Sequence, residues 1–533
     1  MRIMWKWAES VLKIATGWIP GLGTAVEVGL EHLAERRVRR SALAALLDLE
    51  EHTWAPNSSP AALLRADFGI VPFYPRTAEQ EDLDAWCDGG PPLALRLYTA
   101  PGGFGKTRFL RQVVRARREA GWQAGFLREG VLLARHGKEV LFSRGKTSLL
   151  LVLDYAESRR AEIELVVAAA RGCARETVRI VLLARSDGDW WGELQQAGDE
   201  VGDFFQGPAV TAPIRLSPLT NSVDERGTVY TSAARAFDKK LRGPEATWAV
   251  ERVPPLDDED FERVLLIHAT ALAAVEGEQV PSGGLLDWLL HREVRGIERV
   301  REMHAGLGPE LQRALLHAAT LVTLAQGADS RQETVEIIRR APSLADQPRA
   351  RLDEIAEALH VLYRGRRWCD GVEPDLVGEH LVWRQLTDAP ELLPAAFAEE
   401  VPEAQLETGL TVLNRLAQRE PAARSLLTGA IEGDLGRLAL PSVRVAIATG
   451  DPIGRMLAQA LARDPDLEVA RHLVGRLPYS TTALREAAAE VEEILRMELE
   501  DGEIAERTEE ERQKLATRAN NRSNRLADLG RRE

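Results

Sequence analysis

A chain of 533 residues is longer than one hydrophobic core can organise, so several domains are expected. Its composition, 45% hydrophobic and 28% charged, is that of a soluble globular protein, and a net charge of -14 argues against nucleic acid as the primary partner, because such proteins present a basic face. Three cysteines, Cys87, Cys173 and Cys369, stand far apart without histidine company, which argues against a disulfide scaffold or a zinc site and fits a reducing cytoplasm.

The chain opens with two expected helices. The first, within residues 2–18, carries Trp5, Trp7, Leu12 and Trp18 beside Arg2, Lys6 and Lys13; a turn, I-P-G-L-G-T, leads to the second, over about 25–49. They read either as a hairpin packed on the body or on a second subunit, or as an amphipathic segment that engages a membrane or a partner. Neither a secretory signal nor a spanning helix is expected, since Lys13 and Glu27 interrupt the apolar run and Pro20 breaks it. Asn57-Ser58-Ser59-Pro60 reads as a linker. A strand-like tip at Ile70 and Val71 then precedes Arg76, Glu79, Leu83 and Trp86, which follow helical spacing. The tip is read either as an apolar contact for adenine or as an ordinary entry into a helix.

The organising stretch is L-A-L-R-L-Y-T-A-P-G-G-F-G-K-T-R-F-L, from Leu93 to Leu110. An apolar strand enters a glycine-rich turn, and a helical pattern through Phe109, Leu110, Val113 and Val114 leaves it. Gly102, Gly103 and Gly105 allow backbone N–H groups to converge on phosphates, with Phe104 between them and Arg108 just after. Lys106 is placed for the β and γ oxygens, and the Thr107 hydroxyl for Mg²⁺. Ala100 stands where the first consensus glycine falls. A second Gly-Lys-Thr, at 145–147, lacks this frame and reads as a loop before a strand.

Gly121 to Leu127 reads as a strand, and Ser148-Leu-Leu-Leu-Val-Leu-Asp154 as one buried on both faces of a parallel sheet. Asp154, at its C-terminal end, is the expected partner of Mg²⁺. Glu157 is read either as a base that polarises water or, with Arg159, as the solvated start of a helix. Tyr155 occupies the position after Asp154, so any hydrolysis is expected to be slow. A third buried strand, from Val178, delivers Arg185 to the sheet's C-terminal edge, where it reads as a γ-phosphate sensor or as a structural ion pair. Trp190 and Trp191 are expected to pack a neighbouring helix, and Pro208 to Leu219 to form one more strand. The alternation of strand and helix is that of a doubly wound sheet.

Strand signals fade after about Asp224. Helices are expected over Val264–Val275, 285–290, 311–326, 333–340 and 352–362, followed by a turn-rich stretch with Arg364, Arg366 and Arg367 that suggests a winged helix with a solvated or phosphate-facing wing. His268, on an apolar face, reads as a satisfied core histidine rather than a ligand. From 395 to 500 the chain is rich in Ala and Leu, with Pro402, Pro421 and Pro441 expected near helix starts. The last residues, with Leu526, Leu529, Ala519, Ala527 and Gly530, resemble the first helix of a tetratricopeptide repeat.

Taken together, V-P-F-x-x-R (Val71 to Arg76), G-G-F-G-K-T, L-L-L-V-L-D-Y-A-E, L-L-A-R-S-D-G-D-W-W and P-D-L-V-G-E-H-L at Pro374 to Leu381 resemble the signal-transduction NTPases with numerous domains, related to NB-ARC and NACHT switches. The likeness covers roughly 60–533 and is to bacterial members that continue into tetratricopeptide repeats. It implies an α/β nucleotide-binding domain with a doubly wound parallel sheet and P-loop, followed by all-α lid, winged-helix and helical-repeat-like domains. The implied boundaries are 1–56 for the N-terminal helices, 60–220 for the P-loop domain, 221–295 for the lid, 296–390 for the winged helix, 391–505 for a helical domain and 506–533 for the start of an array.

The resemblance further implies a cytoplasmic switch in bacterial defence or regulation. It would be closed with ADP and opened by exchange to ATP with Mg²⁺, and would then self-oligomerise. A protein or phage-type ligand would be sensed by the repeat array, and the effector would be separate or N-terminal. Where such switches carry Met-His-Asp, this chain reads Glu373-Pro374-Asp375, and Pro374 lacks both an N–H and a ring nitrogen to touch phosphate; His380 is the substitute considered. The alternatives are a transcriptional regulator, disfavoured by the absence of a basic recognition helix, and a nucleotide-binding scaffold with vestigial hydrolysis.

Overall fold

A computed structural model describes residues 46–48, 53–131, 141–142, 147–173, 175–248, 253–304, 306–478 and 481–500, with single positions at 513, 517 and 521. The N-terminal helices as far as residue 45, the second Gly-Lys-Thr except Thr147, and the tetratricopeptide-like helix lie outside the described residues.

Six strands form one sheet in the order β1-β3-β4-β5-β2-β6: β1 Leu47–Asp48, β2 Leu93–Thr99, β3 Gln123–Leu127, β4 Leu149–Leu153, β5 Val178–Ala184 and β6 Ile214–Arg215. All pairs are parallel except β1 with β3. The apolar runs are continuous because both faces are covered. Leu149, Leu151 and Leu153 join Ile180 and Leu182 in one core with α3 (Arg160–Arg171), α4 (Asp189–Gln195) and α5 (Glu200–Gln206). Leu150, Val152, Val181 and Leu183 turn to the other face, against α1 (Thr77–Asp88) and α2 (Lys106–Glu119). Trp190 and Trp191 are buried, and Trp191 meets Phe205 edge-on at 5.2 Å.

Four expectations need correction here. Leu47 and Asp48 end no helix: they pair with Leu127 and Phe126 and close the β3 edge, held by an Asp48–Arg111 ion pair of 2.7 Å. The strand expected over 208–219 shrinks to two residues and one bridge, Val210 to Leu95, because Pro208, Pro213 and Pro218 cannot donate to a ladder. Ile70 and Val71 lie in irregular backbone rather than a strand. Ser59 and Pro60 are no free linker, for the buried Glu293 carboxylate accepts from Ser59 Oγ at 2.9 Å and from the Ala61 N–H at 3.1 Å. A buried carboxylate needs such donors, which draws the segment down onto the helices.

The remaining described helices share one continuous apolar core. They run α6 Val223–Arg242, α7 Val264–Val275, α8 Leu285–Met303, α9 Gln312–Leu324, α10 Arg331–Ile338, α11 Arg349–Leu362, α12 Asp375–Asp388 and α13 Leu392–Ala396. Then follow α14 Glu403–Arg419, α15 Arg424–Gly433, α16 Leu435–Thr449, α17 Ile453–Arg463, α18 Leu467–Val474 and α19 Arg485–Glu500. The loop between α11 and α12 meets the end of α9 through one antiparallel bridge, Ala328 to Cys369. Pro402 caps α14 and Pro421 precedes α15, but Pro441 lies inside α16. That helix starts earlier because the Asp434 carboxylate accepts from the Arg437 N–H at 3.2 Å. The body also grips the sheet domain from its far end, where Asp189 accepts from the Thr482 N–H at 3.1 Å and the Ala483 N–H at 3.2 Å. Among the described residues no helix is long and apolar enough to cross a membrane.

Candidate functional site

The turn between β2 and α2 sits at the C-terminal edge of the sheet. Gly103 and Gly105 adopt φ of +83° and +86°, a conformation open to glycine, so the chain folds back into α2 without a Cβ clash. The glycines also admit close neighbours: a Cβ on Gly103 would stand 3.2 Å from Leu265 Cβ. Leu265, in the first turn of α7, donates its N–H to the Gly103 carbonyl at 3.2 Å, so the helical body rests directly on the loop.

Around this loop is a cavity of about 240 Å³ with two ends of different chemistry. The polar end holds Lys106, Thr107, Asp154, Glu157, Arg185 and Asp375; the apolar end is formed by Ile70, Val71, Leu219, Val229, Val264 and Leu265. Thr107 Oγ1 donates to Asp154 Oδ2 at 2.9 Å. Lys106 Nζ donates to the Ala100 and Pro101 carbonyls at 2.5 and 3.2 Å. Burial pushes its pKa down to about 8, against the pull of Asp154.

Arg76 is buried and fastens the loop from behind, donating to the Phe104 carbonyl at 2.9 Å and the Ser217 carbonyl at 3.0 Å. Arg108 donates to the Val71 carbonyl at 3.2 Å, which ties the 70–71 segment to α2. Gly102, Phe104, Gly105, Val71, Arg76 and Arg108 all line the cavity; Ala100 is buried beneath it.

The polar end is closed by charges from the helical body. Arg185 Nη2 donates to Asp375 Oδ2 at 2.7 Å and to Glu379 Oε1 at 2.9 Å, both on α12. Arg415 on α14 reaches Glu157 Oε1 at 3.2 Å and stacks over the Tyr155 ring at 5.3 Å. Arg419, one turn on, pairs with Glu379 at 3.2 Å. The Tyr155 hydroxyl lies 3.0 Å from both oxygens of Asp375, and Tyr155 itself holds a left-handed φ of 53°. Burial would raise the Asp375 pKa, but Arg185 and Arg415 overcome it and hold the carboxyl at about 2. Glu157 therefore starts no solvated helix: its side chain is buried and ion-paired.

Two histidines depart from expectation. His268 lines the cavity and makes no hydrogen bond among the described residues; burial and the nearby Arg108 charge push its pKa down to about 4, so the ring is neutral at pH 7. The helix that carries it packs in the core and also borders the cavity through Val264, Leu265 and His268. His380 does not line the cavity: its Nε2 meets Asp287 Oδ1 on α8 at 2.8 Å. Asp375, Glu379, Arg415 and Arg419 lay outside the sequence reading as a network. The available signal was their spacing, two acids four apart and two arginines four apart, each pair on one helical face.

A parallel sheet, a left-handed glycine loop at its C-terminal edge and a following helix with Lys106 and Thr107 in its first turn define a P-loop-type α/β domain joined to a helical body. No family model matches the chain, and no curated protein does. Among solved structures it is similar to the Aeropyrum pernix ORC1 protein in complex with DNA, at 15% identity over 64% of this chain and 99% of that one, with a TM-score of 0.28. It is also similar to Cdc6p from Pyrobaculum aerophilum, at 15% identity over 60% of this chain and 98% of that one, with a TM-score of 0.26. Likenesses this loose carry no argument, and the functional reading rests on the geometry of the cavity.

Proposed function

We propose that the chain is a nucleotide-gated switch that binds ATP or ADP in this cavity, with the helical body closed over the site. The phosphates lie on the 100–107 loop and the base between Val71 and the α6–α7 face. The observation that carries the reading is the engagement of Arg185 and Glu157, the two polar groups best placed beside a terminal phosphate, by Asp375, Glu379 and Arg415 of the helical body. An incoming γ-phosphate competes with two carboxylates for Arg185, so a diphosphate suits the closed arrangement and a triphosphate works against it. A hydroxyl and a carboxylate oxygen 2.9 Å apart, at Thr107 and Asp154, suit a hard cation such as Mg²⁺. Among the described residues no group of three His, Cys, Asp or Glu could hold a metal alone, so the ion enters with the polyphosphate, whose charge it offsets.

Opening is read as the step that exposes surfaces for self-association, in a signalling role of bacterial defence or regulation with slow ATP hydrolysis as the reset. Tyr155, hydrogen-bonded to Asp375 beside Asp154, favours a second reading in which hydrolysis is vestigial and the protein is a nucleotide-binding scaffold. Mass spectrometry of nucleotide released from purified protein tests the first premise: ADP is expected, and it disappears in Lys106→Ala. A Lys106→Ala protein that retains nucleotide overturns the site. Turnover that rises when Arg415→Ala frees Glu157 supports the switch, whereas turnover absent from both proteins supports the scaffold.

A further inference from the structure

Among the described residues, each charged side chain along the polar wall is engaged within the protein, with one exception. Lys106 donates to loop carbonyls, Arg185 is shared by two carboxylates, and Arg65 binds Asp67 at 2.6 Å, Glu373 at 3.0 Å and Asp370 at 3.3 Å. Arg366 also lines this wall as an exposed residue, and among the described residues its guanidinium makes no hydrogen bond or ion pair within the protein. With Asp154, Tyr155, Glu373 and Asp375 it also lines a second cavity of about 380 Å³. Glu373, Tyr155, Asp67 and Asp154 line the first cavity with it.

The backbone that presents it is built, not loose. The N–H groups of Arg366 and Arg367 donate to the Asp370 carboxylate at 3.2 and 3.0 Å, the Asp370 N–H donates to the Tyr363 carbonyl at 2.8 Å, and the Cys369 N–H donates to Ala328 at 3.0 Å. Asp370 is itself held by Arg65. A loop braced this way, carrying a guanidinium with five unused donors into a cavity, is a preorganised anion receptor.

We propose that Arg366 binds the terminal phosphate of a nucleoside diphosphate in the closed protein. This rests on the reading of the cavity as a nucleotide site. It assigns to the α11–α12 loop the contact that Pro374 cannot make and that His380, paired with Asp287, does not make. The ligand's terminal charge thereby becomes a tie between the P-loop and the helical body: a diphosphate holds α12 down through Arg366 while leaving Arg185 to its carboxylates.

The test is calorimetric titration of the full chain, emptied of nucleotide, with ADP and with AMP, in wild type, Arg366→Gln, Arg366→Lys and Lys106→Ala. Arg366→Gln breaks no hydrogen bond or ion pair among the described residues, though it removes a positive charge near Glu373 and Asp67. It is expected to weaken ADP about ten-fold or more, the range of a charge-assisted hydrogen bond, while shifting AMP by no more than about two-fold. Arg366→Lys is expected to fall between. Unchanged ADP affinity in Arg366→Gln, or an equal loss for ADP and AMP, overturns the proposal. Normal ADP binding by Lys106→Ala overturns the nucleotide reading beneath it, so the two failures are told apart.

Discussion

Replacing Asp375 by asparagine keeps the shape of the side chain and deletes the charge on which Arg185, Arg415 and the Tyr155 hydroxyl converge. Its carboxyl is drawn from an ordinary 3.8 to about 2 in spite of burial. At about 1.4 kcal/mol per unit, that is about 2 kcal/mol favouring the charged form in the closed arrangement. Because the folded value lies below the unfolded one, this stabilisation is complete above about pH 4 and is lost as pH falls through about 2. Asp375→Asn is therefore expected to lower unfolding stability at pH 7 by about 2 kcal/mol and to flatten the dependence between about pH 4 and pH 2. Urea titrations of wild type, Asp375→Asn, Arg185→Gln and the double variant measure both effects. A coupling energy of about 1 kcal/mol or more between the two positions is expected. Additive losses, or an unchanged acid limb in Asp375→Asn, refute the ionic closure.

Lys106, at about 8, is half neutral at pH 8, so binding a polyphosphate there is expected to take up about half a proton and affinity to fall up to ten-fold per pH unit above that point. Titrations in two buffers of different ionisation enthalpy give the proton count; no uptake at pH 8 and flat affinity from about pH 7 to 9 count against it. Gly378 on α12 has no room for a methyl group, whose carbon would stand 2.3 Å from the Val372 carbonyl oxygen, so Gly378→Ala is expected to lift α12 from its loop and destabilise by about 1–3 kcal/mol. A melting temperature equal to wild type would show that the helix gives way freely. Gly103→Ala combines a left-handed φ of +83° with Leu265 Cβ at 3.2 Å and is expected to cost about 1–2 kcal/mol and loosen α7 from the loop, read as weaker nucleotide binding with α2 otherwise intact.

The central strands were legible because burial on both faces leaves a continuous apolar run, as in Leu149–Leu153 and Val178–Ala184. The loop was legible because glycine, lysine and threonine stand at fixed spacing within eight residues. Two-residue strands leave no periodicity to read, so β1 hid at the end of an apparent helix and β6 among prolines. The ionic closure joins residues 157, 185, 375 and 415, which meet only after the helical body packs; Glu157 and Arg185 read singly as site residues, and nothing in the sequence pairs them with Asp375 and Arg415. His268 misled for the converse reason. An apolar helical face shows that something covers it, and the covering here is a cavity as well as neighbouring side chains.

The short strand at Leu47–Asp48 bears on any attempt to trim the protein. It occupies the outer hydrogen-bonding rim of β3, so removing residues 1–50 uncovers that rim along with whatever else is deleted. Bare rims recruit one another, and such a shortened protein is expected to clump through sheet extension whatever its nucleotide. Trimming at residue 45, which spares Leu47 and the Asp48–Arg111 anchor, separates genuine assembly by the N-terminal segment from this artefact of exposure.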